Sequence, residues 1–522
     1  MKRQIFNIIL IALLTTCFSC NDFLNENPEP RATLDTPKSV SQLLVSAYPN
    51  TIYHQFLETM TDNVGDVGAW VYYVKEVDDA FWWRNINSED QDTPTGYWMS
   101  CYEAVAAANL ALEFIYKQQD TTLAYSAQMG EAFMCRAYAH FMVVNIFAKP
   151  YNPETAETDL GVPYVTESGK RVFKSYKRET VAKVYELIEK DLKRGLELIS
   201  DDSYQVPDYH FNSLAAHAFA SRFYLFKMDW DKVIKAADYV VGYGAKPATK
   251  LRDWNGAYDS YDYYELESAY TATTEVSNLL LYNVITSWGR LPYWRFKFTT
   301  EINNELYSAA PSGGTLSYAI YGTTQYKHIP KFKEWFKRVS INANYGWPYV
   351  MAPLLTSEEA LLNRAEAFAM KGMETEAIAD LNSFYSKRID SYNPVSHLIT
   401  PAKVTTYAKR LPDNLDPFVP IPDEMNDLMK VVIDTKRKEF LEEGLRWFDI
   451  RRLRIAVLHE TANKKQRDVL QKEDTRKTLE IPEQAISAGL TPNHKPLLID
   501  NPEELTFRIK KKIYQTIKFT DR

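Results

Sequence analysis

Two helical stretches joined by the short turn at Lys371-Gly372 constrain this chain more than any other feature in it. From Ser357 to Met370, Leu361, Ala365 and Phe368 recur at three- and four-residue spacing, and Ala377 and Leu381 do so from Glu374 to Tyr385. That spacing is the signature of an amphipathic helix, and so short a break makes the two helices antiparallel neighbours. The order large, small, aromatic, glycine, small, large fits the tetratricopeptide template of about 34 residues. A looser copy lies between Ser213 and Val240, with Ser221, Tyr224, Trp230 and Val233 in the matching places and Met228 where glycine is expected. Periodic stretches also run over Tyr97 to Lys117, Thr121 to Phe147 and Thr180 to Ile199. Helical hairpins of this kind cannot bury their apolar faces alone and stack on neighbours. The spacing therefore predicts a mainly α fold, with tetratricopeptide-like hairpins forming a scaffold over about 97–240 and 355–455. A non-repeat helical bundle is the alternative.

Two long segments, about 53–96 and 243–354, interrupt the scaffold and carry no sustained helical period. Long non-repeating stretches inside a folded chain are usually functional. Composition matters here: 35 Tyr, 25 Phe and 11 Trp make 14% of the chain aromatic, and these segments hold most of the Trp. The first offers Trp70, Tyr72, Tyr73, Phe81, Trp82 and Trp83 beside Arg84, Asn85 and Asn87. The second offers Trp288 with Arg290, then Tyr293, Trp294 and Arg295, and later Tyr345, Trp347 and Tyr349, with a further run at Tyr258, Tyr261, Tyr263 and Tyr264. Flat rings beside amides and guanidiniums suit a ligand with apolar C–H faces and a rim of hydroxyls, which is how a sugar presents itself. The candidate ligand-binding residues are Trp70, Trp82, Trp83, Arg84, Trp288, Arg290, Tyr293, Trp294 and Trp347. The competing reading has these rings plugging the loops onto the scaffold, because Trp is highly buried on average. Neighbours in an extended segment point to opposite faces, so in Trp82-Trp83 and Tyr293-Trp294 one ring can anchor while the other meets ligand.

Nothing in the chain calls for catalysis, metal or cofactor. It has eight His, with no HExxH and no metal-ligand spacing, and no GxSxG, P-loop or dinucleotide fingerprint in context. Asp62, Asp66, Asp78, Asp79, Asp90 and Asp92 lack the ordered spacing of a calcium loop and read as solvated acids. Residues 439–452 read as one helix in which Glu442 and Arg446, and Trp447 and Arg451, stand four apart on its surface, a structural spacing. A formal charge of −7 gives no general attraction to nucleic acid.

The start of the chain has its own logic. Lys2 and Arg3 precede an apolar stretch, Ile5 to Leu14, too short for a hydrocarbon core of about 30 Å. That reads as an export signal over residues 1–19, removed on maturation. Ser19-Cys20 resembles a lipobox, which would leave Cys20 acylated and anchored in a membrane. Cys17 stands where leucine is usual, and ordinary cleavage with an unmodified Cys20 is the alternative. Cys101 and Cys135 fall within about one helical turn of each other along their hairpin. Two free, buried thiols are expected, with a disulfide as the alternative.

Taken in order, the short motifs form a pattern. Cys20-Asn21-Asp22-Phe23-Leu24-Asn25 is followed by Trp98, Tyr102 and Ala108-Asn109, then Arg136-Ala137-Tyr138 and Asn145-Ile146-Phe147-Ala148-Lys149-Pro150. Asp159-Leu160-Gly161-Val162-Pro163, Asn363-Arg364-Ala365-Glu366-Ala367, Lys436-Arg437-Lys438-Glu439-Phe440, Glu443-Gly444-Leu445-Arg446-Trp447-Phe448-Asp449 and Ile481-Pro482-Glu483-Gln484 complete it. In this order the chain resembles the SusD/RagB-like outer-membrane lipoproteins of Bacteroidetes. The resemblance implies one domain over 20–522, a helical scaffold carrying a loop-rich binding region. It also implies a cell-surface, non-enzymatic role: capturing oligosaccharide and acting as lid to a SusC-like TonB-dependent transporter. The tail beyond Asn493, with Lys510-Lys511-Lys512, departs from the pattern. Capture of peptide or another polymer, a helical-repeat adaptor, and a glycoside hydrolase remain as competing readings. The last would need two carboxylates about 5 to 9.5 Å apart, and no pair is singled out.

Overall fold

The computed structural model describes residues 34–68, 72–118, 124–168 and 176–494. Residues 1–33, with the expected export signal and Cys20, lie outside the described residues, as do Trp70 and the Lys510–Lys512 tail.

The helices begin where side chains can satisfy their first N–H groups. Helix α1 (Pro94–Lys117) starts with Pro94 behind Thr93, whose side chain accepts from Gly96 N, a favoured opening because proline lacks the N–H that would go unpaired. Helix α2 (Ser126–Phe147) is buried from Ala127 to Phe147, its polar residues Glu131, Arg136, His140 and Asn145 included. Helices α3 (Val181–Leu198), α4 (Ser213–Lys227) and α5 (Trp230–Val241) follow. Next come α6 (Ser357–Met370) and α7 (Glu374–Tyr385), whose bounds coincide with the hairpin read from the spacing. Helices α1, α2 and α3 pack in sequence, as do α4, α5, α6 and α7, and α3 meets α4. Helix α8 (Asn426–Glu439) lies across α6. Gly372 turns the α6–α7 hairpin at φ +72°, and Met228 takes the same left-handed turn after α4 at φ 62°, ψ 32°.

The stretch 439–452 is not one helix. A turn separates α8 from α9 (Arg446–Arg452), with Glu442 at φ +69° and Gly444 at φ +72°. The expected pairing within it is therefore absent. Glu442 faces His328 Nδ1 at 3.1 Å, Arg446 holds Asp62 through two bonds of 2.8 and 2.9 Å, and Arg451 donates to Ala148 O. These groups are structural, but they are buried rather than on a helix surface.

Segment 243–354 is more ordered than its sequence suggests. It contains helices Tyr263–Tyr270 and Thr300–Tyr307 and strands β1 (Asn278–Ile285), β2 (Glu334–Arg338) and β3 (Gly346–Thr356). The strands form an antiparallel sheet in the order β1-β3-β2. The apolar run of β1 pairs with residues some seventy positions away, Asn278 with Thr356 at one end and Ile285 with Tyr349 at the other, and a local period cannot reveal such pairing. A further hairpin, β4 (Val457–Glu460) and β5 (Arg467–Leu470), follows α9.

The main core runs through the scaffold and includes Cys101 and Cys135, both free and buried. Burial pushes both thiols above their usual range. A second cluster gathers Phe81, Trp82, Trp288, Trp294, Phe296 and Val350, and a third surrounds Trp254, Tyr258, Tyr270 and Tyr318. Among the described residues no helix is long and apolar enough to cross a membrane.

Candidate functional site

The indoles expected to be ligand platforms are divided by the fold. Trp82, Trp83, Trp288 and Trp294 are all buried. Trp82 caps the short helix Lys75–Phe81 at φ −93°, ψ 13°, and Trp83 follows at φ +50°. The segment is thus not extended, alternation does not apply, and both rings turn inward. Trp83 donates its indole N–H to Met60 O at 2.9 Å and Trp288 donates to Glu442 O at 2.7 Å. His459 on β4 lies between Phe81 and Trp83 with ring centroids 4.1 and 4.3 Å away, and Phe296 extends the stack 3.9 Å beyond Phe81. These rings fasten the loop-rich segments to the scaffold and offer no open face.

What they support does face solvent. Trp294 is buried, and its neighbour Tyr293 is 70% exposed. Tyr72, bridged to Trp294 through the main chain, is also exposed, as is Tyr73. Arg295 grips Asp66 with two bonds of 2.7 Å. Arg290 lies half open and holds Glu334, the first residue of β2, through two bonds of 2.8 Å. Gly289 lets that approach happen, since a Cβ there would stand 2.9 Å from the Glu334 Cβ. Arg84 is elsewhere: it binds Asp78 at 3.0 Å and lines a polar cleft of about 590 Å³ with Asn85, Asn87 and residues of 479–494.

Strands β2 and β3 carry an open aromatic face that includes two half-exposed indoles. Trp335 pairs with Tyr349 and Lys337 with Trp347. Residues two apart on a strand, and their cross-strand partners, share a face, so Trp335, Lys337, Tyr349 and Trp347 stand together. Trp335 and Tyr349 stack with centroids 4.9 Å apart and 21° between planes. Trp335 and Trp347 are each 45% exposed, and Lys337 is open beside them. The connecting loop holds exposed Asn342, Asn344 and Tyr345. The strand is held from below, where Val350 enters the cluster of Trp82, Trp288 and Trp294. The face therefore combines flat rings, an ammonium and side-chain amides on a strand pair fixed at its base. Trp335 went unread in the sequence, although Glu334-Trp335-Phe336-Lys337-Arg338 before a polar turn and Gly346-Trp347-Pro348-Tyr349-Val350 carry the alternation of a hairpin.

Residues 22–225 match a family of SusD-like proteins described as starch-binding and associating with the outer membrane. Among curated proteins, SusD-like protein P2 of Formosa agariphila is 23% identical over 273 residues, 49% of this chain and 50% of that protein. The chain thus matches about half the length of that relative. A SusD superfamily protein from Bacteroides thetaiotaomicron superposes with a TM-score of 0.63 at 18% identity, over 88% of this chain and 100% of the other. A SusD-like carbohydrate-binding protein from Bacteroides vulgatus gives 0.61 at 14% identity, over 89% and 99%. The chain thus resembles SusD-like proteins over residues 22–225 and has the fold of the SusD superfamily structures.

In this chain the motif residues that carry the resemblance are scaffold fasteners. Arg136 holds Asp191 with bonds of 2.6 and 2.8 Å and Asn109 Oδ1 at 2.8 Å. Glu366 receives Lys436 at 2.6 Å and Arg452 at 2.7 Å, and these cations hold its carboxyl down to about 2. Arg388 joins Glu439 to Glu358. Buried charges of this kind are tolerated because each is paired.

Proposed function

We propose that this protein is a cell-surface glycan-binding lipoprotein. It captures oligosaccharide on the β2–β3 aromatic face and delivers it to a SusC-like TonB-dependent transporter in the outer membrane. The observation that carries the reading is the open face of Trp335, Tyr349 and Trp347 beside Lys337. Pyranose C–H faces stack on such rings, while hydroxyls reach the ammonium and the amides of the loop. The family's description as starch-binding and associating with the outer membrane supports the same reading, as does the carbohydrate-binding relative of the same fold. The role is capture, not cleavage. Two carboxylates of the loop-rich segments, Glu334 and Asp66, are locked in two-pronged pairs with Arg290 and Arg295. An acylated Cys20 would hold the protein at the membrane.

Titration calorimetry of the mature protein against oligosaccharides and peptides tests the reading. Saturable heat with at least one oligosaccharide and none with peptides is expected. Binding of peptides alone would replace the glycan assignment. Co-purification of a large barrel protein from solubilised outer membranes tests the partner, and release of the Cys20→Ala variant from the membrane fraction tests the anchor.

A further inference from the structure

A charged cavity lies where the end of α2 meets α9 and the loop after β5. A cavity of about 240 Å³ opens there, lined by Lys149, Arg451, Arg454, Lys472 and Lys477 together with Asp159, Glu473 and Asp474. The carboxylates are already committed. Asp159 accepts from Lys149 Nζ and Thr155 Oγ1 at 2.6 Å each, Glu473 from Arg454 at 2.6 Å, and Asp474 from Arg476 at 2.8 Å.

Arg451 and Lys477 have no such partner. Both are about 95% buried or more, and neither forms an ion pair among the described residues. Arg451 reaches Ala148 O through Nη2, and its Nε has no acceptor. Lys477 Nζ donates to the main-chain oxygens of Ile455 at 2.7 Å and Lys472 at 2.9 Å. Burial brings the Arg451 guanidinium down to about 10 and, outweighing the nearby Asp474 and Glu473, the Lys477 ammonium to about 8. Two buried cations beside one cavity are costly unless an anion compensates them. Arg and Lys together match a tetrahedral oxyanion, the one through a planar fork and the other as a point charge.

We propose that this cavity binds a phosphate or sulfate group, with Arg451 and Lys477 as its charge partners. The site is separate from the aromatic face and goes beyond glycan capture. Its ligand is either a free oxyanion or the charged end of a larger molecule.

Calorimetry on the mature protein tests this with sodium sulfate against sodium chloride at equal ionic strength, in two buffers of different ionisation enthalpy. Sulfate does not titrate in this range, so any proton taken up leaves the buffer and is bound by the protein. With Lys477 near 8, part of it is expected to be neutral at pH 8, and a bound dianion should draw it back to the ammonium. Saturable sulfate binding with uptake of roughly half a proton at pH 8, and close to none at pH 6, is expected. Lys477→Met should abolish the uptake and weaken sulfate about tenfold or more, whereas Lys183→Met, on an exposed pair of α3, should change neither. The wild-type proton linkage stands even if Lys477→Met fails to fold. Inorganic phosphate and glucose 6-phosphate distinguish the sources: tighter binding of the sugar phosphate marks a carried group, and equal binding a free oxyanion. Absence of saturable sulfate heat, or binding without proton uptake at pH 8, would overturn the proposal.

Discussion

The indole N–H of Trp288 donates to the main-chain oxygen of Glu442 at 2.7 Å. Glu442 sits in the left-handed turn between α8 and α9, so this bond staples the second loop-rich segment to the scaffold. Removing the ring leaves a cavity and an unpaired carbonyl. Trp288→Ala and Trp294→Ala should therefore each cost about 3–5 kcal/mol of stability. Trp347→Ala, which removes a half-open ring, should cost less than about 1 kcal/mol. Urea denaturation of the three variants checks the contrast, and equal losses would contradict the placement.

Asp92 joins the two loop-rich segments, accepting from Ser287 N at 2.7 Å and from the Thr286 hydroxyl. Burial raises its carboxyl from 3.8 to about 7. A group with a raised folded-state value stabilises fully below its unfolded value, and that contribution is lost as pH climbs toward the folded value. Asp92→Asn stays neutral throughout. Relative to wild type, the variant should gain about 1.4 kcal/mol per pH unit between about pH 4 and 7. Denaturation at pH 4.5, 5.5, 6.5 and 8 measures this, and a difference independent of pH would show that Asp92 does not titrate there.

Met228 ends α4 in the left-handed conformation, where a side chain costs about 1–2 kcal/mol and glycine costs little. Met228→Gly should stabilise the protein by about 1 kcal/mol, part of the gain being offset by the freer unfolded chain. A higher denaturation midpoint is expected, and a lower one would mean that the Met228 side chain packs more than the turn strains.

The legibility of the chain follows the range of the forces. The α6–α7 hairpin was readable to the residue because its signals are local: Thr356 caps α6 and Gly372 turns the chain. Met228 was readable as a turn for the same reason. The three-stranded sheet was not, because its central pairing joins residues far apart in sequence. Trp82 and Trp83 misled because alternation presumes an extended chain, and a helix end precedes them. At Tyr293-Trp294 the outward and inward rings are distinct. Glu442 and Arg446 have helical spacing, but the left-handed turn at Glu442 and Gly444 sends them to His328 and Asp62 instead. Aromatic composition locates a region. Which ring faces out depends on what lies beneath it.

The claim that glycan is held on the β2–β3 face rests on Trp335 and Trp347. The direct measurement is calorimetric titration of wild type, Trp335→Ala and Trp347→Ala with an oligosaccharide that wild type binds, alongside thermal melts. By analogy with bases stacking on aromatic rings, loss of either ring should remove about 1–3 kcal/mol of binding, or about 5- to 150-fold in Kd, with the melting temperature almost unmoved. Both variants binding as tightly as wild type would contradict the account and place the glycan elsewhere on the protein.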